Sequence, residues 1–414
     1  MHSGGINVRR KKLNIVLASF LLATMALAGC NSQGSAPAQN TNTQASGGST
    51  ETSSGGGEKI LIATQSPLSG SQSAIGDAIK TGAGFAIELR KEEFKKLGFD
   101  LQLFPQDDQA DPKMGVSNAE MLVANPDVLG VVGHFNTGVA IPSSVKYESG
   151  SLVMVSPANS GVTLTEEGKK TVHRICARDD AQGPKGAKYA KEELGVTSVF
   201  LIHDKTAYGQ GLVDQVKAQF EKDGVKVLGY EGVNQGEKDY NFVVNTAVAS
   251  NPDLIYFGGI YPEAGIIIKQ AKEKGYQGKF MGGDGIDSPD LLKIAGDAAV
   301  GVYLTALAGD AKQTEEGRKW AEEYEKVMGK KPGTYSDYAF ESANVILNGI
   351  VAATQANGGK KPTREQILEQ VHNTKEYQGK FVKVTFDEKG DNKYADVFVY
   401  KFEKEGTSFI GKAE

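Results

Sequence analysis

Cysteine is almost missing from this 414-residue chain, which has two, Cys30 and Cys176. Nothing near Cys30 could complete a metal site, and with Cys30 at the end of an apolar leader the body keeps a single thiol and can form no internal disulfide. Histidine is sparse and scattered: His2, His134, His173, His203 and His372 are all far apart in sequence. There is no G-x-S-x-G elbow, no H-E-x-x-H pair and no Walker loop, and no nucleophile–base pair is visible, which leaves an exported hydrolase as a remote rival. An excess of positive charge is missing too. The net charge is −5, against the basic balance of a nucleic-acid binder. Long apolar runs are also absent. Leu13 to Ala26 is too short and too interrupted for a transmembrane helix.

What is present explains the placement of Cys30. Arg9, Arg10, Lys11 and Lys12 precede the apolar run, and small residues close it, as in a secretory signal. The ending Leu27-Ala28-Gly29-Cys30 resembles a bacterial lipobox, in which the cysteine takes a lipid and becomes the mature N-terminus. The alternative is an ordinary signal cleaved beside a chance cysteine. A twin-arginine signal lacks its Phe-Leu here. Residues 31–58 are nearly all Ser, Thr, Gly, Gln, Asn and Ala, a composition that cannot bury a core and gives a flexible coil with a reach of roughly 30 Å. Residues 1–29 hold four Lys/Arg and no acid, so removing them leaves 42 basic against 51 acidic residues, a net charge of −9. The expected plan is a leader (1–29), a lipidated cysteine with a linker (30–58) and a globular body from residue 59. That plan implies export, with an anchor on the outer face of the bacterial cytoplasmic membrane, or a periplasmic location where there are two membranes.

The body reads as strand–helix repeats. "KILIAT" (59–64), "DLQLFP", "VLGVVG" (128–133) and "SLVMVSP" predict strands. Helices are predicted over 77–97 and 113–124, with another after Thr137. A second series predicts strands at "SVFLIHD" (198–204), "VKVLGYEG", "DLIYFGG" (253–259), "KFMGGD" (279–284) and "VGVYLTAL", with helices over 210–223, 240–249 and 262–275. Helices over 314–328, 337–355 and 363–372 follow, and the chain ends on predicted strands "KFVKVTFD" and "YADVFVYKFE". Two such series imply an α/β protein of two doubly wound lobes. The lobes comprise 59–178 plus 308–380 and 179–307 plus 381–414, joined by crossovers near 176–180, 306–310 and 377–384. Cys176, in "RICARDD", reads as a buried strand residue.

In parallel sheets ligands sit beyond the carboxyl ends of the strands. The first series places Ser69, Gly70 and Ile75 there, then Phe135 and Thr137, then Ala158, Asn159 and Ser160. The second places Tyr208, Ile260 and Asp284 there. Hydroxyls and helix-start amides can hold a carboxylate, and an acidic side chain with a free carbonyl can hold an ammonium, so the inventory suits a small zwitterion. The plain alternative is that Thr137, Asn159 and Ser160 are helix N-caps. Asp107, Asp108 and Asp111, followed by Pro112, invite a metal reading but fit turn and cap duty better.

The ordered segments "GDAIKTGAGFAI", "DDQADP", "GHFNT", "SPANS", "HDKTAYGQG", "GEKDY", "YFGGIYPE", "FMGGDG" and "VTFDEKGD" resemble those of the leucine/isoleucine/valine-binding proteins of ABC importers, which have the type I periplasmic-binding fold. The resemblance covers about 59–400. It implies two lobes closing over an amino acid, with Thr137 on its carboxylate, Ser160 and Ala158 at its polar head, Tyr208 closing over it and Asp284 on its ammonium. Ile75, Ile260 and Phe135 would favour an aliphatic side chain, and Tyr335 would be a pocket wall. Asp284 stands where that family has a glutamate, and Ile75 and Ile260 where it often has tyrosines. Ala110 and Asn136 replace a cysteine pair found in some relatives. The resemblance further implies permease and ATPase subunits as partners, an aliphatic L-amino acid as ligand, no cofactor, no nucleic acid and a monomer. An amide- or urea-binding protein and a sensory lipoprotein remain alternatives.

Overall fold

A computed structural model describes residues 57–414. The expected leader, Cys30 and the linker as far as residue 56 lie outside the described residues. The first series runs β1 (Glu58–Ser66), α1 (Ser73–Lys96), β2 (Phe99–Asp107), α2 (Pro112–Ala124), β3 (Val128–Gly133), α3 (Thr137–Ser149), β4 (Met154–Ser156), α4 (Thr163–Glu166) and β5 (Val172–Arg174). Its strands form an all-parallel sheet in the order β2-β1-β3-β4-β5. Helices cover both faces of such a sheet, which is why β1 is buried continuously from Ile60 and β3 along its whole length. The turn after β2 shows what the acidic cluster does. Asp111 caps α2 by accepting from the backbone N–H groups of Lys113 and Met114, Pro112 follows at the first helical position, and Asp107 accepts from the N–H groups of Leu68 and Gln109.

The second series runs α5 (Asp179–Glu192), β6 (Ser198–His203), α6 (Ala207–Lys222), β7 (Lys226–Gly232), α7 (Asn241–Ala249), β8 (Leu254–Gly258), α8 (Tyr261–Glu273), β9 (Lys279–Gly282), α9 (Asp290–Ala295) and β10 (Tyr303–Ala306). Then come α10 (Glu315–Met328), α11 (Ser336–Ala356), α12 (Arg364–His372), β11 (Tyr377–Gln378), β12 (Lys383–Val384), β13 (Phe398–Glu403) and β14 (Gly406–Lys412). The second sheet has the order β14-β13-β10-β9-β8-β6-β7 and is parallel from β7 to β10, with β13 and β14 antiparallel at one end. Helices α10 and α11 return to the first lobe. Trp320, Tyr324 and Phe340 surround Phe85 of α1 with ring centroids 5.8, 5.3 and 5.6 Å away. Such aromatic packing adds to the area-based gain from burial.

Four expectations need correction. Helix α5 was not anticipated at all, because Gly183, Pro184 and Gly186 lie inside it. "KFVKVTFD" forms only the short strand β12, and the closing hairpin is β13–β14, turning at Lys404 and Glu405. The third crossover lies later than 377–384. Asp391 still bridges Arg174 at the edge of the first sheet, and the chain joins the second sheet only at Phe398. Cys176 is buried, but in a bend beyond β5 and not on a strand.

Both parallel segments share one order, with the first strand of each flanked by its second and third. This puts a topological switch point between β1 and β3 in one lobe and between β6 and β8 in the other, where ligand crevices form.

Candidate functional site

A cavity of about 250 Å³ opens where the carboxyl ends of the two sheets face each other. It is smaller than the roughly 300–1,000 Å³ of sites for drug-sized ligands, as suits a small solute. The first lobe contributes residues 135–139 after β3 and Ala158 after β4. The second contributes Asp204 and residues 206–208 after β6, Ile260 after β8, and Asp284 with Gly285 after β9.

On the first lobe, the cavity meets the start of α3. Asn136, not Thr137, is the N-cap residue, and it makes no side-chain cap bond. The first intrahelical donors are the N–H groups of Val139 and Ala140, so those of Thr137 and Gly138 come before the hydrogen-bonded ladder begins. The Thr137 hydroxyl is buried, with the residue 2% exposed, and it has no partner. The Ser160 hydroxyl is likewise buried, and it lies against the Asp179 carboxyl. Gly161 allows this arrangement, because a Cβ there would come within 2.4 Å of Thr137 Cγ2. The orphan Thr137 hydroxyl and the positive end of a 13-residue helix make a cradle for an anion.

Asn159 has a different task from its neighbours. Its Oδ1 accepts from His134 N at 2.9 Å and its Nδ2 donates to the Phe135 carbonyl at 2.8 Å, which ties the loops after β3 and β4 together. Beneath them the wholly buried Arg174 donates to the carbonyls of Asn159 and Gly161 at 2.9 and 2.8 Å. It also pairs with Asp391, which Arg178 holds from the other side at 2.8 Å. Burial alone would raise the Asp391 pKa, but the two guanidiniums outweigh it and hold the carboxyl below its ordinary value.

On the second lobe, Asp284 is 3% exposed and carries three donors. Tyr208 Oη and Gln182 Nε2 donate to Oδ1 at 2.8 and 2.9 Å, and Tyr335 Oη donates to Oδ2 at 2.5 Å. A carboxylate has about four acceptor positions, so one on Oδ2 remains free. Burial raises the Asp284 pKa, and its three donors offset only part of that shift. Asp179 lies close by. Burial, then the charge of Asp284, pushes its pKa up to about 8, with the Ser160 hydroxyl and Arg174 offsetting part of that shift. Tyr335 holds its place with φ at +69°, a left-handed conformation that costs a bulky residue about 1–3 kcal/mol. Asp284, with Asp179 buried close to it, forms an acidic pole across the cavity from the start of α3.

Of the residues singled out in the sequence, Phe135, Thr137, Ala158, Tyr208, Ile260 and Asp284 line the cavity. Ile75 and Tyr335 do not. They are buried in the same apolar core as Phe135 and Ile260, and the Tyr335 ring lies 6.2 Å from that of Phe135. Ser160 and Asn159 sit behind the surface. None of Thr137, Asn159 and Ser160 is a helix cap. Sequence reasoning missed Asp179, Gln182, Asp204 and Gln235. Asp204 lines the cavity and accepts from Thr206 Oγ1 at 2.6 Å and Gln235 Nε2 at 3.0 Å, while burial raises its pKa. Its position at the end of β6 was the available signal. The scattered histidines do meet once, His173 Nε2 lying 3.2 Å from His372 Nδ1, at residues that do not line the cavity.

The chain is similar to several known proteins. A Brucella abortus protein named Leu/Ile/Val-binding protein homolog 2 is 33% identical over 345 residues, covering 83% of this chain and 91% of that one. A Pseudomonas aeruginosa protein, named as binding leucine, isoleucine, valine, threonine and alanine, is 31% identical over 351 residues, covering 84% and 91%. Among solved structures, a leucine-binding protein of Thermotoga maritima matches with a TM-score of 0.78 at 27% identity, covering 86% of this chain and 99% of that one. The profile described as periplasmic binding protein matches residues 59–407. With two parallel-sheet lobes and a cavity at their paired switch points, the chain belongs to the periplasmic binding protein family.

Proposed function

We propose that this chain captures an aliphatic L-amino acid between its two lobes and delivers it to the membrane subunits of an ABC importer. One observation carries the reading. The cavity has an anion cradle on one lobe, with the unpaired Thr137 hydroxyl and the start of α3, and a negative pole on the other, with Asp284 and its one free acceptor position. A zwitterion satisfies both poles at once. A ligand carrying only one of the charges leaves the other pole buried and unpaired, which is costly. Thr137 holds the ligand carboxylate, the Ala158 carbonyl and Asp284 hold the ammonium, and a bound ammonium favours the ionised form of Asp179 behind them. Phe135 and Ile260 form the apolar wall, backed by Ile75 and Tyr335, and the Tyr208 ring closes over the ligand. Ser160 contacts the polar head, and Asn159 acts through the loop it clamps. The names of the relatives support a branched-chain or similar aliphatic side chain.

The chain catalyses nothing and uses no cofactor, because ATP hydrolysis belongs to the importer's other subunits. Capture works by closure of the lobes 59–178 plus 308–380 and 179–307 plus 381–414, with the later boundary moved to the 392–397 segment by the Asp391 bridge. The leader and Cys30 support an exported, lipid-anchored protein. Among the described residues, no helix is long and apolar enough to cross a membrane.

The test is calorimetric titration of refolded protein with leucine, isoleucine, valine, alanine, threonine, phenylalanine, glutamate, urea and short amides. Saturable binding of aliphatic amino acids, lost in Thr137→Ala and Asp284→Ala, supports the reading. Binding of amides or urea alone overturns the ligand but keeps the fold. Silence from protein shown to be folded points to a signalling lipoprotein.

A further inference from the structure

The amino-acid head accounts for the cavity residues at the ends of β3, β4 and β9, but two polar side chains at the other end have no part in that reading. They are Asp204, at the end of β6, and Gln235, in the loop after β7. The sheet order β9-β8-β6-β7 places them on the far side of Ile260 from Asp284. The first lobe faces this far end with Ala110 and Pro112, which offer no polar side chain. The cavity is therefore polar at both ends and apolar in the middle, where Phe135 and Ile260 lie.

The far end is held in place by its own contacts. Asp204 is 3% exposed. Its Oδ1 accepts from the N–H and the hydroxyl of Thr206 at 3.0 and 2.6 Å, and its Oδ2 accepts from Gln235 Nε2 at 3.0 Å. Of the roughly four acceptor positions on a carboxylate, one on Oδ2 is left. An ionised carboxylate only accepts, so this contact turns the Gln235 amide with its nitrogen toward Asp204. The second N–H and the carbonyl of that amide stay available. The loop carrying Gln235 is braced, because Gly236 N donates to Glu263 Oε1 at 2.9 Å and Tyr240 Oη donates to the Asn234 carbonyl at 3.0 Å. A purely aliphatic ligand would cover these groups without pairing them, which is costly.

Strand spacing sets how far a partner must reach. Neighbouring strands lie about 4.8 Å apart, so the strands carrying Asp284 and Asp204, two places apart in the sheet, are separated by about 10 Å. With a hydrogen bond of about 2.9 Å at each end, the two donors of the ligand stand roughly 4 Å apart. A side-chain amide carried beyond the β-carbon fits that span. It also matches the far end in kind, which neither an ammonium, having no acceptor, nor a methyl group does. We propose that the cavity selects amino acids whose side chain ends in a primary amide, asparagine or glutamine, and that Asp204 and Gln235 read that amide. The ligand NH2 donates to Asp204 Oδ2, the ligand carbonyl accepts the spare Gln235 N–H, and Phe135 and Ile260 flank the methylene groups. The inference rests on the amino-acid reading, whose head-group contacts it keeps, and it changes the side chain that the site prefers.

Calorimetric titration of the refolded full chain compares asparagine with leucine, which has nearly the same shape, and adds glutamine, alanine and lysine. Asparagine or glutamine should bind at least tenfold more tightly than leucine. Gln235→Leu, at an exposed position, should narrow that gap by about tenfold. Leucine binding more tightly than both amides, or a gap unchanged in Gln235→Leu, would overturn the proposal. So would lysine binding more tightly than either amide, which would make Asp204 a cation site. Alanine, which presents little beyond the head group, separates this proposal from the reading beneath it. If alanine binds and the amides show no preference, only the amide proposal falls; if no amino acid binds to protein shown to be folded, both fall.

Discussion

Tyr335 and Asp284 come from opposite lobes and meet through a 2.5 Å hydrogen bond, hydroxyl to Oδ2. The donor opens α11, which packs on α1 of the first lobe, and the acceptor follows β9 of the second, so the bond ties the two lobes together. Its donor sits on a strained left-handed residue, and its acceptor faces the ligand cavity. Tyr335→Phe should therefore weaken amino-acid binding by about ten- to a hundredfold, the range for losing a hydrogen bond to a charged group. Small-angle scattering should show the ligand-bound variant more open than the parent. Unchanged affinity and shape would remove Tyr335 from the closing mechanism.

Thr137→Val should move stability and affinity in opposite directions. The hydroxyl it removes is buried without a partner, so the ligand-free protein should keep its stability or gain about 1 kcal/mol. Leucine affinity should fall by tenfold or more, since the anion cradle loses its side-chain donor. Thermal melts and calorimetry on the same samples decide it. A loss of stability in the free protein would mean that the hydroxyl has a structural partner instead.

The Asp179 pKa predicts a pH dependence of definite sign. Its folded value, about 8, lies above its ordinary value of 3.8, so the folded state binds the extra proton. Stability of the ligand-free protein is therefore highest at low pH with respect to this group. It declines as pH rises from about 4 to about 8, by up to a few kcal/mol. Asp179→Asn should flatten that decline and raise the melting temperature at pH 8. A bound amino acid, whose ammonium compensates the charge, should flatten it too. A variant that melts earlier than the parent at pH 8 would contradict this account.

Asp391 has the opposite sign. Its pKa is held below 3.8, so its contribution is present above that value and is lost as pH falls through the folded pKa. Asp391→Ala leaves the buried Arg174 without its partner and should cost about 3–5 kcal/mol. Denaturant unfolding at neutral pH measures this. Replacing Arg174 and Asp391 together with apolar residues should cost less than Asp391→Ala alone.

Legibility followed how local the physics was. "VLGVVG" predicted a strand at 128–133, and β3 occupies those residues, because a run buried on both faces of a parallel sheet needs no outside information. Helix α12 was similarly readable from Thr363, which closes a capping box with Gln366. Helix α5 was not, since its glycines and proline argue against a helix by propensity. The reason for one of them is tertiary: a Cβ on Gly183 would come within 2.6 Å of Gln215 Cβ on α6, so the residue is small because two helices touch there. Missing α5 also hid Asp179 and Gln182. The strand ends led to Thr137 and Asp284, but only the folded chain shows Tyr335 reaching Asp284 from 51 residues away.

The order in which the second sheet is completed sets a constraint on assembly. β13 pairs with β10 on one side and β14 on the other, and both late strands lie in the last 17 residues, 398–414. Until β13 pairs with it, β10 is a bare sheet edge, with its backbone donors and acceptors open to any passing strand. The second lobe therefore cannot complete its sheet before the segment after residue 397 docks. A premature stop near residue 397 would leave an open strand edge, and its characteristic failure would be aggregation, with little effect on the amino-acid cavity's own residues.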